Sequence, residues 1–198
     1  MLDLSPGNVD FAKAKAAELN LSIDAICGDA RYADKLVNGS FDAVLLMGPL
    51  YHLPEEKDRN MAVSAALNLL KPGGTLYVSF ISSYAAVWDF LGRHTHTINE
   101  SSEQKYYSLM VNDTEFSGIS FTQTHFIRPA DVKPFMAKFP VEQLHLLGSE
   151  SILGLREAEL AVQPPEVIKG WIDFAEKVCE REDLISMAEH FLYVCKKL

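Results

Sequence analysis

The stretch from Phe41 to Pro54, FDAVLLMGPLYHLP, decides the fold. Asp42 leads into the apolar run from Ala43 to Met47, and the chain then breaks at Gly48-Pro49 and sets Tyr51 beside His52. A continuous apolar run of this kind suits a strand covered on both faces. Two readings stand at this point: a buried strand that delivers Tyr51 and His52 to an active site, or a core strand followed by an ordinary turn.

On the N-terminal side, SPGNVDFAKAKAAELN offers Ser5 as an N-cap and Pro6 as the first helical residue. Val9, Ala12, Ala16 and Leu19 recur at helical spacing, which predicts a helix with one buried stripe. SIDAICGD reads as a short strand ended by Gly28, and RYADKLV as a brief helix. On the C-terminal side, EEKDRNMAVSAALNLL predicts a helix whose acidic start suits the positive end of the helix dipole. Val63, Leu67 and Leu70 share one face of it, KPGG stops it, and TLYVSFI is a strand. Strand–helix alternation up to this point argues for an α/β fold, a mostly parallel sheet with helices on both faces.

After Ser82 the rhythm changes. A helix is expected around YAAVWDFLGR, then a polar stretch, THTINESSEQ, and an aromatic segment, KYYSLMV. SFTQTHFIR reads as a strand, PADVKPFMAKF as a short helix and VEQLHLLG as a strand. PPEVIKGWIDFAEKVCE carries Val167, Trp171, Phe174 and Val178 on one helical face, and HFLYVCKK closes as a strand. The whole is read as one domain, 1–198, in which 83–128 form a cap over a substrate pocket. Trp88, Tyr106, Tyr107, His94, His96 and His125 fall in that cap and suit an aromatic lid over an organic acceptor.

The totals narrow the function. The 198 residues are 48% hydrophobic and 23% charged, with a net charge of −9. The longest basic run is Lys196-Lys197, so no stripe for nucleic-acid phosphates is expected, and small or neutral substrates fit better. Three cysteines without C-x-x-C spacing read as reduced thiols, with Cys27 and Cys195 in apolar core segments. No metal site is expected, since His94 and His96 have no clear third ligand. The start MLDLSPGNVD has no signal-peptide pattern, and no apolar run approaches the roughly 20 residues of a membrane helix. The expected compartment is the cytoplasm.

Taken together, MLDLSPGNVDFAKAKA, CGDARYAD, FDAVLLMGPLYHL and LLKPGGTLYVSFI stand in the order and spacing of a class I S-adenosylmethionine-dependent methyltransferase. The likeness is to the small-molecule group whose fourth strand ends in Gly-Pro-Leu-Tyr-His, and it is strongest over residues 1–81. The resemblance implies S-adenosylmethionine as cofactor and methyl transfer to a small-molecule acceptor. It places Asp3, with Leu4 beside it, at the cofactor's ribose, where a carboxylate accepts both hydroxyls. It places Asp29 at the adenine amino group and the Ala30 amide at a ring nitrogen. Met47 and Gly48 fall beside the methionine portion, where a glycine lets backbone approach a ligand closely. Tyr51 and His52 fall where the acceptor sits, His52 as a base for an acceptor that must lose a proton. On the residues alone, Asp3 also reads as a solvated strand-end charge, Asp29 as a helix cap, and the Tyr-His pair as packing under the next helix.

One departure stands out. The family's glycine-rich turn follows a first strand that would precede Asp3, and neither is present in this chain. In the family's strand order, 3-2-1-4-5-7-6, that strand is central, so its neighbours would each lose a ladder. Each buried unsatisfied backbone group costs about 1–3 kcal/mol, and a few of them rival a domain's stability of about 5–15 kcal/mol. The two neighbours are therefore expected to pair directly, or the chain to be marginally folded. Three explanations stand: a natural protein that begins upstream of Met1, a degenerate descendant, or a sheet completed by a partner or swapped segment, with an oligomer as one result. The competing functions are a catalytically inactive methyltransferase-fold binding module and, further off, a nicotinamide-dependent oxidoreductase.

Overall fold

The computed structural model describes residues 1–198. Its first elements follow from local chemistry. Strand β1 (Leu2–Asp3) is followed by Ser5, whose hydroxyl accepts the Asn8 amide and starts helix α1 (Pro6–Glu18). Strand β2 (Ile26–Cys27) pairs with β1 in parallel. Asp29 caps the turn that leads into the short helix α2 (Ala33–Leu36). Strand β3 (Phe41–Leu46), helix α3 (Glu56–Asn68) and strand β4 (Leu70–Ile81) follow, with β3 and β4 parallel.

The cap region contains helix α4 (Ala85–Arg93), helix α5 (Gln104–Asn112) and an antiparallel hairpin of β5 (Phe116–Ile119) and β6 (Gln123–Phe126). In the sequence, KYYSLMV carries no assigned element and SFTQTHFIR reads as a single strand. KYYSLMV is helical, because Tyr106 and Leu109 fall on one face and are buried against Ile81, Ala85 and Phe126. SFTQTHFIR is not one strand but a turn and the second arm of the hairpin.

Helix α6 (Val132–Met136), strand β7 (Val141–Gly148), helix α7 (Glu157–Leu160), helix α8 (Pro165–Val178) and strand β8 (His190–Lys197) complete the chain. The central sheet has the order β3-β4-β8-β7, with β8 antiparallel to both neighbours. Strands β3, β4 and β7 therefore run one way, and their carboxyl ends share an edge with the start of β8. Together with β1-β2, this gives the Rossmann-like order 3-2 and 4-5-7-6 of the expected fold, interrupted at the place of its first strand.

The expectation that the two flanking strands pair directly is not met. β1 and β3 belong to separate sheets, and a cavity lies between them. The main core forms on one face of the sheet. Leu46, Leu76, Val78, Phe80, Phe191 and Tyr193 meet Ala62, Val63 and Leu67 of α3 and Val132, Phe135 and Met136 of α6. The other face is covered unevenly. Leu45 is 64% exposed, and Leu19, the C-cap of α1 and predicted to lie on its buried stripe, is 54% exposed. Cys27 is exposed rather than a core thiol, because the two-residue β2 has only β1 beside it; Cys195 is buried as expected.

Candidate functional site

The question raised by FDAVLLMGPLYHLP resolves into two parts. Val44 and Leu46 of β3 point into the core, while Ala43 and Leu45 face away from it. At Gly48 the backbone takes φ +120°, a left-handed value that glycine adopts without strain. The Gly48 amide donates to Ser79 Oγ at 3.2 Å, which ties the turn to the end of β4. Pro49 to His52 then make one 3₁₀ turn that drives Leu50 into the core, leaving it 1% exposed. That plug fixes its neighbours: Tyr51 is half-buried and His52 exposed, their rings 4.9 Å apart.

Arg59 of α3 secures the end of this turn. It is 6% exposed, and its Nη1 donates to the carbonyls of Leu53 at 2.8 Å and Pro54 at 2.6 Å. Ser117 Oγ of β5 also donates to Pro54, at 3.2 Å, and bonds His125 Nδ1 at 2.9 Å. Burial and the Arg59 charge push the His125 pKa down to about 4, so this imidazole is neutral near pH 7. Its role here is to hold the hairpin against the turn.

A cavity of about 970 Å³ opens between β1-β2 and β3. Asp3, Leu4, Asp29, Ala30, Met47, Gly48 and His52 all line it, so seven of the eight residues singled out from the sequence converge on one space. Tyr51 does not line it; its ring turns towards the cap cluster. Asp3 Oδ1 accepts from the Ser5 amide at 2.8 Å, and both its oxygens accept from the Asn8 side chain. These bonds orient the carboxylate and leave it acceptor capacity.

Asp29 is more fully engaged. It caps the following turn through the Arg31 amide at 2.9 Å, and the Arg31 guanidinium grips both its oxygens at 2.6–3.1 Å. That side-chain bond, working against burial, holds the Asp29 carboxyl below its ordinary value. Arg31 also bonds Asp58 of α3 at 2.9 Å, bridging the two sides of the cavity. Arg31, Asp58 and Asn8 were not singled out from the sequence. Asp29, two residues before it, is the only local signal for Arg31.

The predicted aromatic lid takes another form. None of Trp88, Tyr106, Tyr107, His94, His96 and His125 lines the cavity. Tyr106 is core, Trp88 donates to the Ser186 carbonyl at 2.8 Å, and His125 is buried. The cap instead contributes Thr122 and Gln123, and Phe121 packs edge-on to His52 with centroids 6.0 Å apart. No group of three or more His, Cys, Asp or Glu side chains is placed to hold a metal ion.

A further pair lies at the same edge. His190, the first residue of β8, bonds through Nδ1 to Glu150 Oε1 at 2.6 Å, and its amide donates to Glu150 Oε2 at 3.0 Å. The Glu150 bond, opposing burial, raises the His190 pKa. Burial works to raise Glu150, but its bonds to His190 outweigh that and hold it below the ordinary carboxylate value. The His190 ring stands 6.4 Å from that of Tyr51. The separation of 40 positions along the chain hides this pair from sequence spacing.

Residues 1–74 match the family described as a methyltransferase domain. The chain is 33% identical over 87 residues to a ubiquinone biosynthesis O-methyltransferase of Xanthomonas campestris, covering 44% of this chain and 35% of that protein. It therefore spans about a third of the length of the curated relatives it matches. A methyltransferase structure from Clostridium acetobutylicum superposes with a TM-score of 0.59 at 13% identity, covering 99% of this chain and 73% of that one. The N-methyltransferase NodS of Bradyrhizobium japonicum, solved with S-adenosyl-L-homocysteine, gives 0.52 at 11%, covering 99% and 64%.

Proposed function

We propose that the chain, whose residues 1–74 match a methyltransferase-domain family, is a class I S-adenosylmethionine-dependent methyltransferase and that the cavity between β1 and β3 binds S-adenosylmethionine for methyl transfer to a small-molecule acceptor. The observation that carries this reading is the convergence of Asp3, Leu4, Asp29, Ala30, Met47 and Gly48 on one cavity of about 970 Å³. Its residues fit such a ligand: a carboxylate oriented by Ser5 and Asn8 with acceptor capacity left for ribose hydroxyls, apolar walls for adenine, and a glycine turn tied back by Ser79 beside the methionine portion.

The cofactor supplies a methyl group already activated on a sulfonium, so alignment provides much of the catalysis. The residues of this chain orient the partners. Asp3 fixes the ribose, and Asp29 with the Ala30 amide reads the adenine edge. Met47 and Gly48 border the methionine chain. His52 and Tyr51 border the acceptor, with His52 taking a proton where the acceptor must lose one. Arg59 and Ser79 hold the turn that carries them and are positioning residues.

The compartment is read as the cytoplasm, supported by three free cysteines. No helix is long and apolar enough to cross a membrane. Neither a nucleic acid nor a membrane is proposed as partner. Self-association through the unpaired edges of β1 and β3 is part of the proposal. The inactive binding module is the second reading, motivated by the interruption between those strands.

Hydrogen exchange with and without S-adenosylhomocysteine tests the site. Protection is expected at residues 3–4, 28–31 and 46–49. Exchange unchanged there, with saturating ligand, contradicts the assignment.

A further inference from the structure

A second cavity, of about 580 Å³, opens between β7 and α8. That volume is within the roughly 300–1,000 Å³ of small-molecule sites. One wall is Leu147, which follows the core residue Leu146 along β7 and so faces the other side of the sheet. The opposite wall is α8, through Ile168, Trp171 and Ile172. Trp171 and Ile172 are 45% and 47% exposed, so the chain itself leaves this apolar helix face open. The cavity shares no lining residue with the one between β1 and β3, and neither His52 nor His190 lines it. A ligand held here stands apart from the methyl-transfer reaction.

Charge narrows the ligand. Every charged residue in the lining is a carboxylate: Glu150, Glu157 and Glu176. Glu150 pairs with His190 at 2.6 Å and Glu157 with Arg93 at 2.9 Å. Arg93 is shared further with Asp89 and Glu189, and Glu176 has no basic side chain in ion-pair contact. Glu189 reaches the wall at Gly154, where its Oε1 would stand 3.8 Å from an added Cβ. Burial raises the Glu189 pKa, with Glu150 and Asp89 adding to it and Arg93 opposing. The carboxylates around the cavity thus outnumber their cations. An anion would meet like charge there, a neutral molecule would leave the excess as it is, and a cation would offset it.

The backbone adds to the same sign. The Gly148 amide donates to the Cys179 carbonyl at 3.0 Å, which brings the turn after β7 to the C-terminal end of α8. That end of a helix carries partial negative charge and favours cations. The same turn presents Ser151, a wall residue 4% exposed whose buried hydroxyl has no hydrogen-bond partner. A ligand N–H reached by rotation of this side chain would satisfy it. An ammonium group has three donors and no acceptor, which matches a lining of carboxylates and one hydroxyl. Trp171 offers an aromatic face, to which cations are also drawn.

We propose that the cavity between β7 and α8 binds a small apolar ammonium compound, with its hydrocarbon body between Leu147 and Trp171. Glu176 is its counter-charge and Ser151 accepts one of its N–H groups. The site goes beyond the methyltransferase reading and does not depend on it.

The test uses the 198-residue chain without cofactor and three probes of matched size: phenylbutylamine, phenylbutanol and phenylbutyrate. In a Trp88→Phe background Trp171 is the sole tryptophan reporter. Phenylbutylamine is expected to shift Trp171 emission saturably to shorter wavelength. It should bind about tenfold more tightly than phenylbutanol, with phenylbutyrate the weakest. Calorimetry on the wild-type chain should give the same ranking. Glu176→Lys, at an exposed position, should abolish the preference for the amine. Ser151→Ala should weaken the amine about threefold without lowering the unfolding midpoint, since it removes an unpaired hydroxyl. Equal binding of the three probes, an amine preference that survives Glu176→Lys, amine affinity unchanged in Ser151→Ala, or no saturable heat from the wild-type chain overturns the proposal. Because no arm needs cofactor, its failure is distinct from failure to bind S-adenosylmethionine.

Discussion

Arg59 donates to the Pro54 carbonyl at 2.6 Å, so a buried guanidinium on α3 terminates the turn that displays Tyr51 and His52. The same nitrogen reaches the Leu53 carbonyl, and burial lowers the Arg59 pKa without the group having a carboxylate in direct contact. Its charge is compensated by backbone dipoles and by the more distant Glu115, Glu56 and Glu55. Arg59→Leu should cost about 3 kcal/mol, the scale of hydrogen bonds from a charged donor to groups left buried. Arg59→Lys should cost less, since an ammonium retains part of the contact. Urea unfolding measures both, and a wild-type midpoint for Arg59→Leu would refute the role.

Asp3 and Asp29 should respond differently to substitution. Asp3→Asn is expected to weaken S-adenosylmethionine binding about tenfold while leaving the unfolding midpoint nearly unchanged, because its side-chain partner Asn8 is exposed and the amide oxygen of Asn can still accept from the Ser5 amide. Asp29→Asn should weaken binding and also lower stability, because it strips Arg31 of its main partner. Calorimetry paired with urea titration separates the two effects. Equal stability losses in both variants would contradict this division.

Gly48→Ala isolates backbone strain. A Cβ there would meet nothing closer than the Tyr51 hydroxyl at 3.7 Å, so sterics add little, but φ is +120°. A cost of about 1–3 kcal/mol is expected from that conformation alone. A neutral substitution would show that the turn relaxes in solution.

The buried His125 gives stability a pH dependence of known sign. Its folded-state pKa of about 4 lies below the unfolded value of 6.5, so the unfolded chain binds the extra proton first. This contribution is fully present above pH 6.5 and is lost as pH falls through the folded pKa near 4. Integrated, it amounts to at most about 3 kcal/mol. The slope of stability against pH between these limits should be shallower in His125→Asn than in wild type. Parallel slopes would remove His125 from the acid response.

Much of this was legible in the sequence, for physical reasons. The apolar run of β3, the Gly-Pro break and the strand–helix alternation are local patterns, and they carried Asp3, Asp29, Met47 and Gly48 to one cavity. Long-range side-chain pairing was not legible: Glu150 and His190, Arg59 and Pro54, and Ser79 and Gly48 meet only through the fold. Burial was misread where a neighbour was assumed. Leu19 and Cys27 carry core-like patterns, yet both are exposed in a two-strand unit with little beside it. Phe121 looked β-prone but sits in a hairpin turn, where its ring reaches His52.

The central claim is that the cavity between β1 and β3 holds the sulfonium cofactor, and calorimetric titration of the 198-residue chain with S-adenosylmethionine tests it most directly. Saturable binding is predicted, weakened in Asp3→Asn, with no comparable heat from a nicotinamide dinucleotide. No saturable heat from a sample shown to be folded would contradict the claim.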